Sequence, residues 1–161
     1  MIVGDQVRVT VFVAVAPAEA FRVFTEEIDL WWGKGPRFRI TSHGPSAITF
    51  EPSLGGRLLE RVDTPGGPQL VEKGRITAWE PPSRFVFDWR GINFLPDEKT
   101  EVEVRFTAAE DGTNVEVCHR GWSKLPASHP VRHGQDVPAF IGMLGSWWGA
   151  LMSSLREHTA L

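Results

Sequence analysis

The chain has 161 residues, of which 42% are hydrophobic and 23% are charged, and its formal net charge is −3. This length and composition exclude a disordered chain and predict one folded domain over residues 1–161. The slightly acidic charge, with no basic stripe, argues against a nucleic-acid-binding protein, and a single cysteine excludes an internal disulfide or a CxxC metal site.

Valine at every second position from Val7 to Val15 predicts the first strand, because a period of two places these side chains on one face. The apolar run over residues 9–18 also resembles the core of a signal peptide. Asp5 stands where a signal peptide is positively charged, however, and Thr10 interrupts the run. We therefore expect a strand here rather than a leader, and with the lone cysteine we predict a cytoplasmic protein.

One or two short helices are predicted from Pro17 to about Trp32. Proline suits the first turn of a helix, and Phe21, Phe24 and Ile28 share one helical face. No apolar stretch in the chain approaches the roughly 18 residues that a membrane span needs, so no membrane span is predicted.

The middle of the chain is typical of an antiparallel meander of short strands. Strong turn signals separate the strands at Pro65-Gly66-Gly67-Pro68, Glu80-Pro81-Pro82-Ser83 and Asp111-Gly112. The predicted strands are residues 47–50, 57–62, 70–79, 84–90, 101–107 and 114–121.

One long helix is predicted over about Asp136 to His158, where Leu144, Leu151 and Leu155 fall on helical spacing. It is the only long element available to cover the apolar face of the sheet. The element order therefore predicts an α+β fold in which a curved antiparallel sheet of about seven strands wraps around the C-terminal helix, with two short helices after the first strand.

Small residues line one face of the long helix, at Gly142, Gly145 and Gly149, and Gly74 and Ala78 share a face of the longest strand. They could leave space between helix and sheet, or they could permit close backbone contact, and the sequence leaves both interpretations open. An apolar cavity between the two would be typical of a small-molecule site, whereas a fully packed core is the alternative.

Several motifs occur in an order and at spacings that are similar to those of a known family. They are Ala16-Pro17-Ala18-Glu19-Ala20-Phe21, Phe24-Thr25 to Trp31-Trp32, Gly55-Gly56-Arg57 to Glu60, Gly74-Arg75-Ile76 to Glu80-Pro81-Pro82, Phe85-Val86-Phe87-Asp88-Trp89, His119-Arg120-Gly121-Trp122 and the Trp147-Trp148 to Leu155 helix. In these the chain resembles the SRPBCC superfamily, with its START-like, Bet v-type helix-grip fold. Within it, the chain looks most like the bacterial homologues of the activator of the Hsp-90 ATPase.

The resemblance implies the helix-grip fold over nearly the whole chain and offers three functions. Members bind hydrophobic ligands such as lipids, carry polyketide cyclase activity, or act on chaperones. The motifs mostly specify turns and core, so they do not choose between these functions. Eukaryotic activators carry a separate amino-terminal domain for which 161 residues leave no room. We therefore rank interaction with a chaperone below the binding of a hydrophobic ligand. The sequence does not determine the oligomeric state, and a homodimer is one of the states that stay open.

Two polar residues lie in phase with apolar neighbours on predicted strands. His119 is in phase with Val115 and Val117, and Glu60 is in phase with Leu58. If both side chains face a cavity, they could anchor a polar ligand group or transfer protons. The alternative, which buried polar residues generally favour, is that each satisfies a backbone group, a buried water or the other residue. Binding is favoured over catalysis, because the sequence does not bring the two together.

His129, His133 and Asp136 have a spacing that would suit a zinc site if they lay on a helix. Pro130 and Gly134 interrupt helical geometry there, so we predict a loop, with no metal and no cofactor.

The predicted function is the binding of a hydrophobic or aromatic small molecule in a cavity between the sheet and the C-terminal helix. A chaperone-interaction module and a small cyclase- or hydratase-type enzyme using the same cavity are the alternatives. The predicted ligand-binding residues are Glu60, Phe87, Trp89, Val104, Val117, His119, Leu144 and Trp148.

Tryptophan is the unusual part of the composition, with seven Trp, ten Phe and no Tyr. Adjacent residues of a helix cannot both face the sheet, so Trp147 and Trp148 should divide their roles. We expect one to line the interior and the other to cover a rim or a partner surface.

Overall fold

The computed structural model describes residues 5–40, 46–91, 94–126, 129–132 and 136–160. Its strands are β1 (Gln6–Val13), β2 (Ser46–Phe50), β3 (Arg57–Thr64), β4 (Gly67–Glu80), β5 (Arg84–Trp89), β6 (Thr100–Ala109) and β7 (Gly112–Arg120). Its helices are α1 (Pro17–Glu26), α2 (Ile28–Trp31) and α3 (Val137–Thr159), and two 3₁₀ turns lie at Trp122–Lys124 and Pro130–Arg132. The predicted order of strand, helices, six strands and long helix is confirmed.

The seven strands form one antiparallel sheet in the order β1-β7-β6-β5-β4-β3-β2. Each strand from β2 to β6 pairs with the next strand in the chain, and β1 completes the sheet by pairing with β7. The predicted α+β helix-grip fold, with about seven strands and two short helices after the first, is confirmed. Among the described residues, no helix is long and apolar enough to cross a membrane.

Gly74 of β4 lies directly against the backbone of β5. A Cβ built at Gly74 would lie 1.8 Å from the carbonyl oxygen of Asp88. The Asp88 carboxylate also accepts a hydrogen bond from the Arg75 backbone N–H, at 2.9 Å. Of the two interpretations of Gly74, close backbone contact is therefore correct, since no side chain fits between these strands.

Helix α3 covers the concave face of the sheet and begins at a side-chain cap. The Asp136 carboxylate accepts a hydrogen bond from the Ala139 backbone N–H, at 2.9 Å, which satisfies one of the free donors of the first turn. Phe140, Leu144 and Leu151 face the sheet and are buried. The capped end of the helix is the end whose side chains lie beside Trp89 at the end of β5 and His119 of β7.

The glycine face of α3 lies beside the edge strand β1. A Cβ at Gly145 would lie 3.4 Å from the Val7 side chain, whereas a Cβ at Gly142 or Gly149 would meet no atom within 4 Å. Only Gly145 therefore has a close neighbour on the sheet. Neither close contact nor a contribution to the cavity described below explains glycine at the other two positions.

Candidate functional site

A cavity of about 460 Å³ lies between the end of the sheet and the N-terminal half of α3. Its lining residues come from strand ends, the 3₁₀ turns, the long helix and the segment after α2, and they are Trp89, Gly91, His119, Trp122, Val131, Phe140, Met143, Leu144, Trp147, Pro36 and Arg37. The volume is within the usual range of small-molecule sites, and the walls are mainly aromatic and aliphatic.

Three of the predicted site residues line this cavity: Trp89, His119 and Leu144. The other five are buried outside its lining, each with at most 1% of its surface exposed, and they are Glu60, Phe87, Val104, Val117 and Trp148. Strand phase predicts which face a side chain occupies but not how far along the strand the open space lies. Contact between any of the eight residues and a ligand stays a prediction.

His119 is held between two protein partners. The Trp148 indole N–H donates to its Nδ1 at 3.0 Å, and its Nε2 lies 2.7 Å from the Thr100 hydroxyl. Because Nδ1 accepts a hydrogen bond, the ring proton is on Nε2 and is donated to Thr100. Complete burial lowers the pKa of His119 to about 3, so the ring is neutral. Both nitrogens are therefore occupied, and the ring adjoins the cavity as an aromatic surface.

Glu60 has different partners from His119. Its Oε1 accepts a hydrogen bond from Lys73 Nζ at 3.2 Å, and its Oε2 accepts one from the Ile40 backbone N–H at 2.7 Å. The Lys73 ammonium also lies 4.9 Å from the centre of the Trp89 ring. Burial lowers the pKa of Lys73, and the negative charge of Glu60 opposes that shift. As the general behaviour of buried polar groups suggested, each predicted polar anchor is satisfied within the protein.

Lys73, the partner of Glu60, is not among the site residues predicted from the sequence. In the β3–β4 pairing Leu58 is opposite Gly74 and Leu59 is opposite Glu72, so Lys73 is the extra residue of a β-bulge. A bulge changes the direction of a side chain, and here the ammonium is buried next to Glu60. A strand lysine is normally exposed. The burial of Lys73 follows from the β3–β4 register, which the sequence does not show.

The rim segment, residues 33–40, is held at its base by Arg39, whose side chain is only 2% exposed. The Arg39 guanidinium donates to Asp29 Oδ1 at 2.7 Å, to the Trp32 carbonyl at 3.1 Å and to the Gly33 carbonyl at 2.9 Å. Several simultaneous acceptors hold the planar guanidinium of an arginine in one orientation. The rim segment is therefore part of a hydrogen-bonded unit with the end of α2.

Tryptophan side chains fix the rest of the rim segment. The Trp147 indole N–H donates to the Arg37 carbonyl at 2.8 Å, and the Trp32 indole N–H donates to the Phe38 carbonyl at 3.0 Å. Trp148 is fully buried, whereas Trp147 is partly exposed and lines the cavity. The expected division between one interior and one rim tryptophan is thus what the structure has.

Four of the seven tryptophans meet around this end of the core. The ring centre of Trp32 lies 6.2 Å from Trp89, 5.7 Å from Trp147 and 5.9 Å from Trp148. Trp79 instead contacts Phe21 at 5.0 Å and does not line the cavity. The high tryptophan content is therefore explained only in part by residues that line or adjoin the cavity.

Of the three residues with zinc-like spacing, His129 is buried and has protein partners. His129 Nε2 lies 2.9 Å from Glu98 Oε1, and its Nδ1 accepts a hydrogen bond from the Val131 backbone N–H at 3.1 Å. His133 lies outside the described residues. Among those that are described, no group of three or more His, Cys, Asp or Glu residues could hold a metal ion.

Comparison with known proteins gives a family and a set of similar folds. The family model described as Activator of Hsp90 ATPase homolog 1-like protein matches residues 14–151. No curated protein matches the chain.

Three solved structures illustrate the similar folds. A Mesorhizobium loti protein is 17% identical with a TM-score of 0.61, and the alignment covers 94% of each chain. The Aha1 dimer from Colwellia psychrerythraea is 15% identical with a TM-score of 0.62, covering 98% of this chain and 95% of that one. A Cytophaga hutchinsonii protein is 13% identical with a TM-score of 0.66, covering 95% and 92%. Identities this low show the shared fold alone.

Proposed function

This chain belongs to the Activator of Hsp90 ATPase homolog 1-like protein family, and we propose that it binds a hydrophobic or aromatic small molecule in the cavity beside α3. One observation carries the proposal: about 460 Å³ of space lies among Trp89, Phe140, Leu144 and Trp147. A concave, mainly apolar cavity of this size that opens to solvent is the usual form of a small-molecule site.

The rigidity of the rim supports binding. Arg39, Trp32 and Trp147 hold the rim segment by hydrogen bonds to its backbone or to residues next to it. A site that is already ordered loses less conformational entropy when a ligand binds. The cavity is therefore suited to a ligand whose shape it already matches.

The polar groups favour binding over turnover. Both nitrogens of His119 have protein partners, and Glu60 is buried outside the lining with Lys73 and Ile40. A general acid or base must reach the proton that it transfers. A cyclase or hydratase that depended on these two residues would have to break those contacts first.

A neutral fluorescent probe, N-phenyl-1-naphthylamine, tests the proposal directly. We expect saturable binding to the wild type, with the emission increase of a probe that leaves water. Met143→Trp adds side-chain volume inside the cavity and should reduce that binding at least about tenfold, because the ring and the probe compete for one space.

The matched control is Ala150→Trp, which places the same side chain on an exposed position of the same helix. It should leave the affinity unchanged. No saturable binding to the wild type, or equal binding by the two variants, would reject the cavity as a ligand site. Mass spectrometry of the intact protein from its own host, under native conditions, would then show which small molecule accompanies it.

Chaperone interaction is the second candidate, and the description of the matched family favours it. The contact would involve the surface rather than the cavity. One charged surface is the outer face of β5, β6 and β7, where Glu103 pairs with Arg84 and Arg120. The ATPase rate of a purified Hsp90-type chaperone, measured with and without this protein, decides: stimulation supports the candidate and an unchanged rate rejects it.

Three further expectations belong with the proposal. The Colwellia structure is described as a dimer, so light scattering during size-exclusion chromatography should show whether this chain also dimerises. We also propose that residues 1–161 act as one domain. A cytoplasmic location stays a prediction, which localisation of a tagged chain would test.

A further inference from the structure

We infer that the ligand is an organic anion, an apolar body that carries one acid group, and that Arg37 is the residue that recognises the acid. This inference rests on the proposed binding function and specifies the class of ligand. It depends on the charges around the cavity, on the freedom of the Arg37 side chain and on one indole donor.

Arg37 carries the only formal charge among the described residues that line the cavity. His119 is neutral, because burial lowers its pKa and Trp148 donates to its Nδ1. Glu60, which is buried outside the lining, is paired with Lys73. Within the described lining, a ligand would therefore meet one positive charge that no carboxylate opposes, and this favours an anion.

The Arg37 side chain is available for such a contact. It is exposed and forms no ion pair within the described part of the chain. Most arginines of the protein do pair with carboxylates there, and those are Arg8, Arg22, Arg39, Arg57, Arg75, Arg84, Arg105 and Arg120. The Arg37 guanidinium lies 5.2 Å from the Phe38 ring, while Trp147 fixes its backbone carbonyl at the cavity wall.

Trp89 offers a second donor in the lining. Its Nε1–H has no acceptor among the described residues, whereas the Trp147 and Trp148 indoles donate to Arg37 and His119. A donor at a cavity wall that solvent reaches bonds to water when the site is empty, and an acceptor on a ligand can take the place of that water. A ligand with acid oxygens supplies acceptors, and a pure hydrocarbon supplies none.

A cationic ligand is the opposite case. Aromatic walls such as Trp89, Trp122 and Trp147 can hold a quaternary ammonium group through cation–π contacts. The described lining contains no carboxylate to support such a cation, and Arg37 would repel it. The charge of the wall therefore selects the anion.

Two probes with nearly the same rings separate charge recognition from apolar binding. 1-Anilinonaphthalene-8-sulfonate is anionic, and N-phenyl-1-naphthylamine lacks the sulfonate. We expect Arg37→Gln to weaken the sulfonate about five- to tenfold and to leave the neutral probe within about twofold, because one charge-assisted contact is lost. Added salt should weaken only the sulfonate, since the guanidinium is exposed to solvent.

Arg61→Gln is the matched control, because Arg61 is an exposed strand arginine that does not line the cavity and the net charge changes equally. It should leave both affinities unchanged. Equal weakening of the sulfonate by the two variants, or no effect of Arg37→Gln, would overturn the anion inference while the neutral probe still reported a cavity. Failure of both probes to bind would instead reject the binding function itself.

The apolar body of the anion can be aliphatic or aromatic, and displacement of the sulfonate distinguishes the two. Decanoate and 1-naphthoate are the competing acids, and their methyl esters are the controls. At least one acid should displace the probe more strongly than its ester in the wild type, with the preference lost in Arg37→Gln. Equal displacement by both acids and their esters would overturn the inference.

Discussion

The indole N–H of Trp148 donates to Nδ1 of His119 at 3.0 Å, so that one hydrogen bond joins the long helix to strand β7 across the core. The same bond selects the tautomer of the histidine, because a ring nitrogen that accepts a hydrogen bond carries no proton. The ring must then donate from Nε2 to Thr100. These two hydrogen bonds occupy both ring nitrogens, so His119 forms part of the cavity wall and is not free to act as an acid or base.

The first prediction concerns acid pH. The pKa of His119 is about 3 in the folded protein and near 6.5 when the residue is exposed, so the unfolded chain binds the extra proton as the pH falls below 6.5. The stabilisation by this group is complete above pH 6.5 and is lost towards pH 3, at about 1.4 kcal/mol per pH unit. Urea unfolding should show about 2 kcal/mol of loss from this residue between pH 7.5 and pH 5.

His119→Gln isolates that contribution. Glutamine can accept from Trp148 and donate to Thr100, and it does not titrate. The variant should fold and should lose stability less steeply than the wild type between pH 6.5 and pH 5. Parallel curves for the two proteins would show that His119 is not held neutral.

The second prediction removes the acceptor of the histidine proton. Thr100→Val keeps the shape of a buried side chain and leaves the His119 Nε2–H without its partner. A buried donor without an acceptor costs about 1–3 kcal/mol. Thr49→Val, on an exposed strand position, should change the free energy of unfolding by less than about 0.5 kcal/mol. Equal effects in chemical denaturation would contradict the assigned bond.

The third prediction concerns the buried ion pair of Glu60 and Lys73. Glu60→Gln should cost about 3–5 kcal/mol, since it leaves a buried ammonium without its counter-ion. The double variant Glu60→Gln, Lys73→Met should lose less free energy of unfolding than the two single variants lose in total, by at least about 1 kcal/mol.

An exposed ion pair serves as the control for this cycle. Glu72→Gln breaks the pair with Arg75, whose side chain is 57% exposed, and should cost less than about 1 kcal/mol. Additive effects of the Glu60 and Lys73 variants would mean that the two charges do not stabilise each other.

The fourth prediction compares two glycines. Gly74→Ala should destabilise the fold by at least about 2 kcal/mol, because its Cβ would lie 1.8 Å from the Asp88 carbonyl oxygen. Gly142→Ala should stabilise it by up to about 1 kcal/mol, because a Cβ there meets no atom within 4 Å and alanine favours the helix. Thermal unfolding of both variants tests the pair. Shifts of the melting temperature in the same direction would contradict these roles.

The fold was predictable from the sequence because its signals are local. Alternating valines in β1, the Pro81-Pro82 break after β4 and the Asp111-Gly112 turn each define one element through backbone preferences that need no partner. The order of the elements then left one arrangement, since only α3 is long enough to cover the sheet. Burial of His119 and Glu60 also followed from strand phase.

The site depended on information that strand phase does not contain. Phase places Val117 and His119 on one face, but which of them meets open space depends on how far α3 extends along the sheet. Lys73 is buried because a one-residue bulge shifts the β3–β4 register. The partners of His119 come from β6 and α3, 19 and 29 residues away. Local sequence thus determines the elements and their inward faces, whereas the cavity and its charges arise only where distant segments pack together.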